Sequence, residues 1–302
     1  MDSFDVIVIG QGYAGLCAAR LACEQGLSVA TFEREMAGGA VMTVLGLDPS
    51  PESFTSSGPD LGAVIAMQNM DLGAKPFFDA ATGLLPRPGG GWDVIASHGV
   101  YAARHVVVAT GAKPRKLDIP GEREHEGKGV SHCADCDGPR VAGHHCVVVG
   151  SGDAAFQEAA ILTRFASAVT IVMRGGAPKA RSDLVEKALA GGRTRVLPDT
   201  RATAILGDGL QVTGARLEGG KGVSELSCKG VFVFIGSVPD SALLPALAAR
   251  DGQGALLVDA DGATGLPGLW AVGAVRSGFP GGLSQAGADA SRAIAALRGG
   301  GR

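Results

Sequence analysis

The sequence predicts an α/β protein made of two Rossmann-like nucleotide-binding domains, each of three ββα layers, with the second inserted into a discontinuous first. Three observations predict it. A strand–glycine–helix–strand unit opens the chain, a second such unit begins near residue 145, and the stretches between and after them read as crossings and a return. The 302 residues leave room for two domains, and 48 glycines fit a chain of tight turns and close backbone approaches.

In the first unit "DVIVI", Asp5 to Ile9, is a buried strand. Gly10-Gln11-Gly12-Tyr13-Ala14-Gly15 follows, "LCAARLACEQG" reads as a helix closed by Gly26, and "LSVATF" runs to Glu33. Gly10 makes the turn, Gly12 lets a pyrophosphate approach the backbone, and Gly15 lets helix pack on strand. Glu33 is placed to bond ribose hydroxyls.

The pattern recurs as "HCVVVG", Gly150-Ser151-Gly152-Asp153-Ala154-Ala155, "FQEAAILTRFA" and "AVTIVM". Ala155 in the third position still permits close packing. Where the first unit has Glu33, the second has Met173 and Arg174. An arginine there suits the 2′-phosphate of NADP better than a bare ribose. Two dinucleotide sites in one chain point to a flavoprotein fed by a nicotinamide. FAD is expected at the first, NADPH or NADH at the second, with a dithiol as electron acceptor.

Between the units "HVVVATG" reads as a strand ending in a turn at Thr110–Gly111, and "KPRKLDIPGE" as a crossing between domains. "GVFVFIGSVPDSALL" reads as a strand, a turn and a return linker. "GALLVDADGATGLPGLWAVGA" is expected to give short strands, and "LSQAGADASRAIAALR" a final helix. The expected domains are residues 1–116 with 244–302 for FAD, and 117–243 for the nicotinamide nucleotide.

A net charge of −3 without a basic run argues against nucleic acid and anionic membranes as partners. No apolar run approaches bilayer length and the start does not read as a signal peptide, so the expected location is cytoplasmic. Cys17, Cys23, Cys146 and Cys228 read as small buried apolar residues. Cys133 and Cys136, in "SHCADCDGP", carry a spacing with chemistry. Half of a zinc clasp with His144–His145, a structural disulfide and a redox pair are the three readings. Structural zinc wants a second ligand pair at wider spacing, and CxxC closes too small a loop to stabilise much.

With these residues assembled, the chain resembles the low-molecular-weight thioredoxin reductases, FAD-dependent class II pyridine nucleotide-disulfide oxidoreductases, along nearly all its length. The opening GxGxxG, "ATGAKPRKLDIPGE", "CADCDG", the second GxGxxA followed by "QEAA", and "VFVFIG" carry the resemblance in order. "CDGP" also resembles the flavoprotein subunit of alkyl hydroperoxide reductase. The resemblance implies that Cys136 lies nearest the flavin, that Cys133 is the interchange thiol, and that Asp137 is the acid/base. It implies FAD contacts at Gly10, Gly12, Ala14, Gly15, Glu33, Gly38, Gly39, Ala40, Thr110, Gly111, Gly273 and Ala274. It implies nicotinamide-nucleotide contacts at Gly150, Gly152, Ala155, Arg174 and Lys179. The implied partner is a thioredoxin-like small redox protein or a small-molecule dithiol or disulfide, and the implied assembly a homodimer.

Four departures from the family pattern stand out. Gly273-Ala274 replaces a Gly-Asp whose carboxylate contacts FAD, and Pro280-Gly281-Gly282 replaces an Arg-Gln-Ala near the isoalloxazine. The 2′-phosphate cluster is reduced to Met173-Arg174-Gly175 with Lys179, and the loop after Gly39 reads "GLDPSPESFTSSGPDL". Two further functions therefore stay open: a dithiol oxidase that closes a disulfide in a small metabolite with oxygen as acceptor, and a non-catalytic flavin-binding redox sensor.

Overall fold

The computed structural model describes residues 2–47, 49–52, 55–220 and 222–299. Asp48, Ser53 and Phe54 of the divergent loop lie outside the described residues. The chain divides into two compact units, Met1–Lys113 with Val238–Arg302, and Pro114–Ser237.

In the first unit β1 (Ser3–Ile9), α1 (Tyr13–Glu24), β2 (Val29–Phe32), α2 (Gly58–Asp71) and β3 (Lys75–Phe77) are followed by β4 (Ala81–Pro86), β5 (Trp92–Ala96) and β6 (Gly99–Val108). β7 (Ala112–Pro114) then lies at the first chain crossing. The sheet runs β3-β2-β1-β6-β5-β4. Besides its parallel pairing with β1, β6 serves two further partners. Its first half pairs antiparallel with β5, and Val106–Val108 pair parallel with a strand from the end of the chain.

This arrangement explains why "DVIVI" is apolar throughout. Side chains alternate faces along a strand, and both faces of β1 are covered. Val6 and Val8 face a core with Ala18 and Ala22 of α1. Ile7 and Ile9 face a core with Leu84, Trp92 and Val94 of the antiparallel strands.

The second unit repeats the plan. It contains β8 (Val130–Ser131), α3 (Ala134–Asp137), β9 (His145–Val149), α4 (Asp153–Leu162), β10 (Ala168–Val172), α5 (Ser182–Leu189) and β11 (Thr194–Leu197). An antiparallel meander follows, β12 (Arg201–Gly207), β13 (Val212–Gly219) and β14 (Gly222–Ser227), then β15 (Gly230–Val233) and, at the return crossing, β16 (Ser237–Pro239). The parallel sheet runs β11-β10-β9-β15-β8. Val148 and Ile171 face the helices, while Val147, Val149 and Val172 face the meander. Both units are Rossmann-like, with a helical layer, a parallel sheet and an antiparallel layer.

The last stretch of the first unit, β17 (Leu269–Ala271) and α6 (Leu283–Gly299), differs from expectation. Of the short strands expected across residues 254–274, β17 alone forms among the described residues. The remainder turns on aspartate side chains. Asp251 Oδ1 accepts the N–H groups of Gln253 and Ala255, and Asp259 Oδ1 those of Asp261 and Ala263. Such side-chain bonds compete with a sheet ladder and win where Asp-Gly recurs. No helix among the described residues is long and apolar enough to cross a membrane.

Candidate active site

The two glycine turns are built alike. Gly10 N–H donates to Phe32 C=O at 2.8 Å, and Gly150 N–H to Val172 C=O at 3.0 Å. A Cβ on Gly10 would lie 2.5 Å from Ala109 O, and one on Gly150 2.2 Å from Phe234 O. These glycines are required by close backbone packing at the carboxyl ends of parallel strands. Gly15 is held the same way, since a Cβ there would sit 1.9 Å from Gly10 O. Ala155 takes its place in the second turn and packs its own Cβ near Gly150.

Gly12 and Gly152 differ in kind. A Cβ on either meets nothing within 4 Å, and both have extended backbone that any residue adopts. Each is the N-cap of its helix, so the open space faces unsatisfied helical N–H groups. That cradle fits a dinucleotide pyrophosphate at each turn.

Around Gly12 the structure gathers the first set of expected residues. Gly38 N–H donates to Gln11 C=O at 2.7 Å, and a Cβ on Gly39 would lie 3.0 Å from Gly12 Cα. Ala40 follows Gly39 in a short 3₁₀ turn. Glu33, just past β2, accepts Gln11 N–H at 2.9 Å and Glu35 N–H at 3.1 Å. Gly273, with φ +73°, packs on Ala14, where a Cβ would come within 2.9 Å of the alanine methyl. Thr110 Oγ1 donates to Asp240 C=O at 2.6 Å, and Gly111 C=O accepts Asp240 N–H. Ala274 is half-buried and presents only a methyl where the resemblance expects a carboxylate.

In the second unit Met173 is buried while Arg174 and Lys179 are exposed. Lys179 and Ala180 N–H both donate to Ser151 C=O, which ties that segment to the glycine turn. Arg181, which the sequence reading passed over, pairs with Asp153 at 3.4 Å and Asp183 at 3.6 Å.

Cys133 and Cys136 are joined by a disulfide with Cα atoms 5.4 Å apart. Cys133 is the N-cap of the one-turn α3, and its sulfur accepts Cys136 N–H at 3.0 Å. Cys133 is buried and Cys136 exposed. Gly138 is needed for packing, since a Cβ there would lie 2.6 Å from the Phe165 ring. His145 opens β9, with Nε2 2.8 Å from Thr170 Oγ1. Burial and the neighbouring Arg195 lower its pKa. Cys23 is half-buried where full burial was expected.

Two supports of the redox turn lie outside the motif. Buried Ser131 places Oγ 2.7 Å from Asp137 Oδ2 and accepts Cys133 N–H at 3.1 Å. Asp137 Oδ1 lies 3.4 Å from Arg140 Nη1. Glu158 of α4 accepts Ala134 N–H at 2.7 Å, between the two cysteines. Burial chiefly, and Asp135 in addition, push the Glu158 pKa up against the lowering effect of that bond.

With this geometry in place, comparison with known proteins gives a consistent set. The family model described as pyridine nucleotide-disulphide oxidoreductase matches residues 4–295. Thioredoxin reductase of Treponema pallidum is 35% identical over 277 residues, covering 91% of this chain and 89% of its own. That of Listeria monocytogenes is 36% identical over 280 residues, covering 91% and 86%. The crystal structure of Lactococcus lactis thioredoxin reductase superposes with a TM-score of 0.92 at 30% identity, covering 98% of each chain.

Proposed function

This chain belongs to the pyridine nucleotide-disulphide oxidoreductase family and is a disulfide oxidoreductase like the thioredoxin reductases; from that premise we propose its cofactors, partner and residue roles. NADPH or NADH supplies electrons, FAD sits in the first unit, and a thioredoxin-like small redox protein or a small-molecule disulfide receives the electrons. The observation that carries this reading is the Cys133–Cys136 disulfide, followed by Asp137, in the unit that holds the open Gly152 turn.

Gly12, Glu33, Gly38 and Gly39 would hold FAD, and Gly152, Arg174 and Lys179 the nicotinamide nucleotide. When bound, FAD supplies a two-electron carrier between a nicotinamide hydride and a disulfide. The chain's own residues do the rest. Opening the Cys133–Cys136 bond consumes two electrons and two protons and leaves two thiols. Asp137 manages the proton at Cys136 Sγ. Cys133 Sγ, as thiolate, attacks one sulfur of the partner disulfide. Cys136 Sγ then attacks Cys133 Sγ, which re-forms the intramolecular bond and releases the partner as a dithiol. A cytoplasmic setting is supported by Cys17, Cys146 and Cys228, which stand as buried free thiols. The homodimer is carried over as the family expectation.

The test is an anaerobic titration of the FAD-loaded protein, following flavin absorbance as NADPH and then NADH are added. Prompt bleaching is expected, ranking the two nucleotides. A flavin that stays oxidised with both nucleotides and bleaches with a dithiol would overturn the proposal in favour of a dithiol oxidase.

A further inference from the structure

Asp289 on α6 is 3% exposed, and the redox chemistry above does not use it. Its carboxylate is fully engaged. Oδ2 accepts Arg276 Nε at 2.5 Å and Gly273 N–H at 3.1 Å. Oδ1 accepts Arg276 Nη2 at 2.8 Å and Arg292 Nη2 at 2.6 Å. Arg276 is itself mostly buried, with its side chain 14% exposed. Its Nη1 donates to Ser277 C=O at 3.0 Å, and its guanidinium lies 5.5 Å from the Phe279 ring centroid. One bidentate pair therefore grips the Gly273 peptide, the Ser277 carbonyl and Phe279 together.

The gripped segment has a particular place. It leaves the carboxyl end of β17, which pairs parallel with β6, and Gly273 packs against Ala14 beside the first glycine turn. Ligands of open parallel sheets bind at those strand ends. The same segment carries one flavin-side departure, Ala274, and leads directly into the other, Pro280-Gly281-Gly282. Stability alone is a poor reason for such a pair. Replacing a buried ion pair by apolar side chains of like size is often neutral or stabilising, whereas a fixed fork geometry specifies one conformation.

We infer that the Arg276–Asp289 pair is a positioning device that holds the 273–279 turn in its flavin-binding conformation. This rests on the FAD reading above. The charge lost at 274 is not replaced by another ligand carboxylate, because Asp289 is spent on two arginines and a peptide N–H. What the pair supplies is backbone and Phe279 geometry.

The test uses the full chain, stripped of flavin and titrated with FAD, following quenching of flavin fluorescence and the absorbance of the bound flavin. The double variant Arg276→Met with Asp289→Leu removes both charges together. It is expected to keep the far-ultraviolet circular dichroism of the wild type, to bind FAD about tenfold more weakly, and to shift the bound-flavin absorbance bands. Arg276→Lys is the second variant. It keeps the charge but not the fork, and is expected to lie between the wild type and the double variant in affinity. If the double variant fails to fold, Arg276→Lys decides alone. Wild-type affinity and an unshifted flavin spectrum in either folded variant would overturn the proposal and leave the pair as a fastening of α6. A wild-type chain that binds no FAD would overturn the flavin reading itself, a result distinct from the first.

Discussion

Ser131 Oγ lies 2.7 Å from Asp137 Oδ2 and accepts Cys133 N–H at 3.1 Å, so one buried hydroxyl ties the acid/base candidate to the backbone of the first cysteine. The hydroxyl has one proton, and a carboxylate is its strongest available acceptor. Ser131→Ala is expected to lower turnover with a disulfide substrate about tenfold, the scale of one hydrogen bond to a charged group. Flavin content and the rate of flavin reduction by nicotinamide should stay at wild-type values. Stopped-flow traces that show the loss in flavin reduction instead would remove Ser131 from the dithiol half of the reaction.

The two cysteines should be separable by trapping. Cys133 is buried in the oxidised form, while Cys136 is exposed. Exposure alone would name Cys136 as the partner-facing sulfur, whereas the resemblance names Cys133. We expect Cys136→Ser to accumulate a mixed disulfide with thioredoxin through Cys133, and Cys133→Ser to form none. Both variants should lose disulfide reduction and keep flavin. A mixed disulfide mapped by mass spectrometry to Cys136 in the Cys133→Ser protein would reverse the assignment.

Glu158 should make stability depend on pH. Its pKa in the folded protein is raised above the ordinary value of 4.5, mainly by burial. Between those two values the folded state binds the proton more than the unfolded state does. Stability from this group is therefore full below about pH 4.5 and falls as pH rises through the folded pKa. Glu158→Gln keeps an acceptor for Ala134 N–H and removes the charge. It is expected to raise the melting temperature at pH 7 by a few degrees and to leave it unchanged below pH 4. Equal melting temperatures at both pH values would mean that Glu158 is well solvated.

The two nucleotide turns were legible from the sequence because their demands fall on the backbone. Gly10, Gly15 and Gly150 sit where any Cβ would strike a carbonyl oxygen, so glycine is forced at each within a short window. The CxxC was legible for the same local reason. Ser131 lies next to the motif and was still overlooked, because its bond to Asp137 arises only when β8 delivers it into the sheet beside β15. Glu158 and Asp289 are harder again. Each reaches its partner from another element, Glu158 from α4 to α3 and Asp289 from α6 to the β17 end, and no local pattern encodes such a meeting. The aspartate turns at Asp251 and Asp259 misled in the opposite way. Their flanking apolar residues suggest strands, while side-chain bonds fold the backbone away from a ladder.

Arg174 should discriminate between the nicotinamide nucleotides. It is exposed beyond the buried Met173, and Arg181 is already occupied by Asp153 and Asp183. Arg174→Ala is expected to raise the KM for NADPH about tenfold and that for NADH little, because only the former carries a 2′-phosphate for a guanidinium fork. Equal increases would move the phosphate contact elsewhere, with Lys179 the next candidate on the tied segment.

The glycines of one motif should part company on substitution. At Gly12 a Cβ meets nothing within 4 Å and φ is −66°, so Gly12→Ala fits the empty protein. Restricting the unfolded chain favours the variant and the loss of a glycine N-cap opposes it, so the apoprotein should stay within about 1 kcal/mol of wild type. The added methyl would occupy the space where the pyrophosphate approaches, so FAD affinity should fall at least tenfold without a matching loss of stability. At Gly15 the Cβ would stand 1.9 Å from Gly10 O, and helix and turn must separate. Gly15→Ala should cost about 1–3 kcal/mol in the apoprotein and lower FAD affinity only through that damage. Thermal melts of both apoproteins and FAD titrations of both folded forms make the comparison. A Gly12→Ala protein that melts like wild type or higher and binds FAD as tightly would show that no pyrophosphate lies over Gly12.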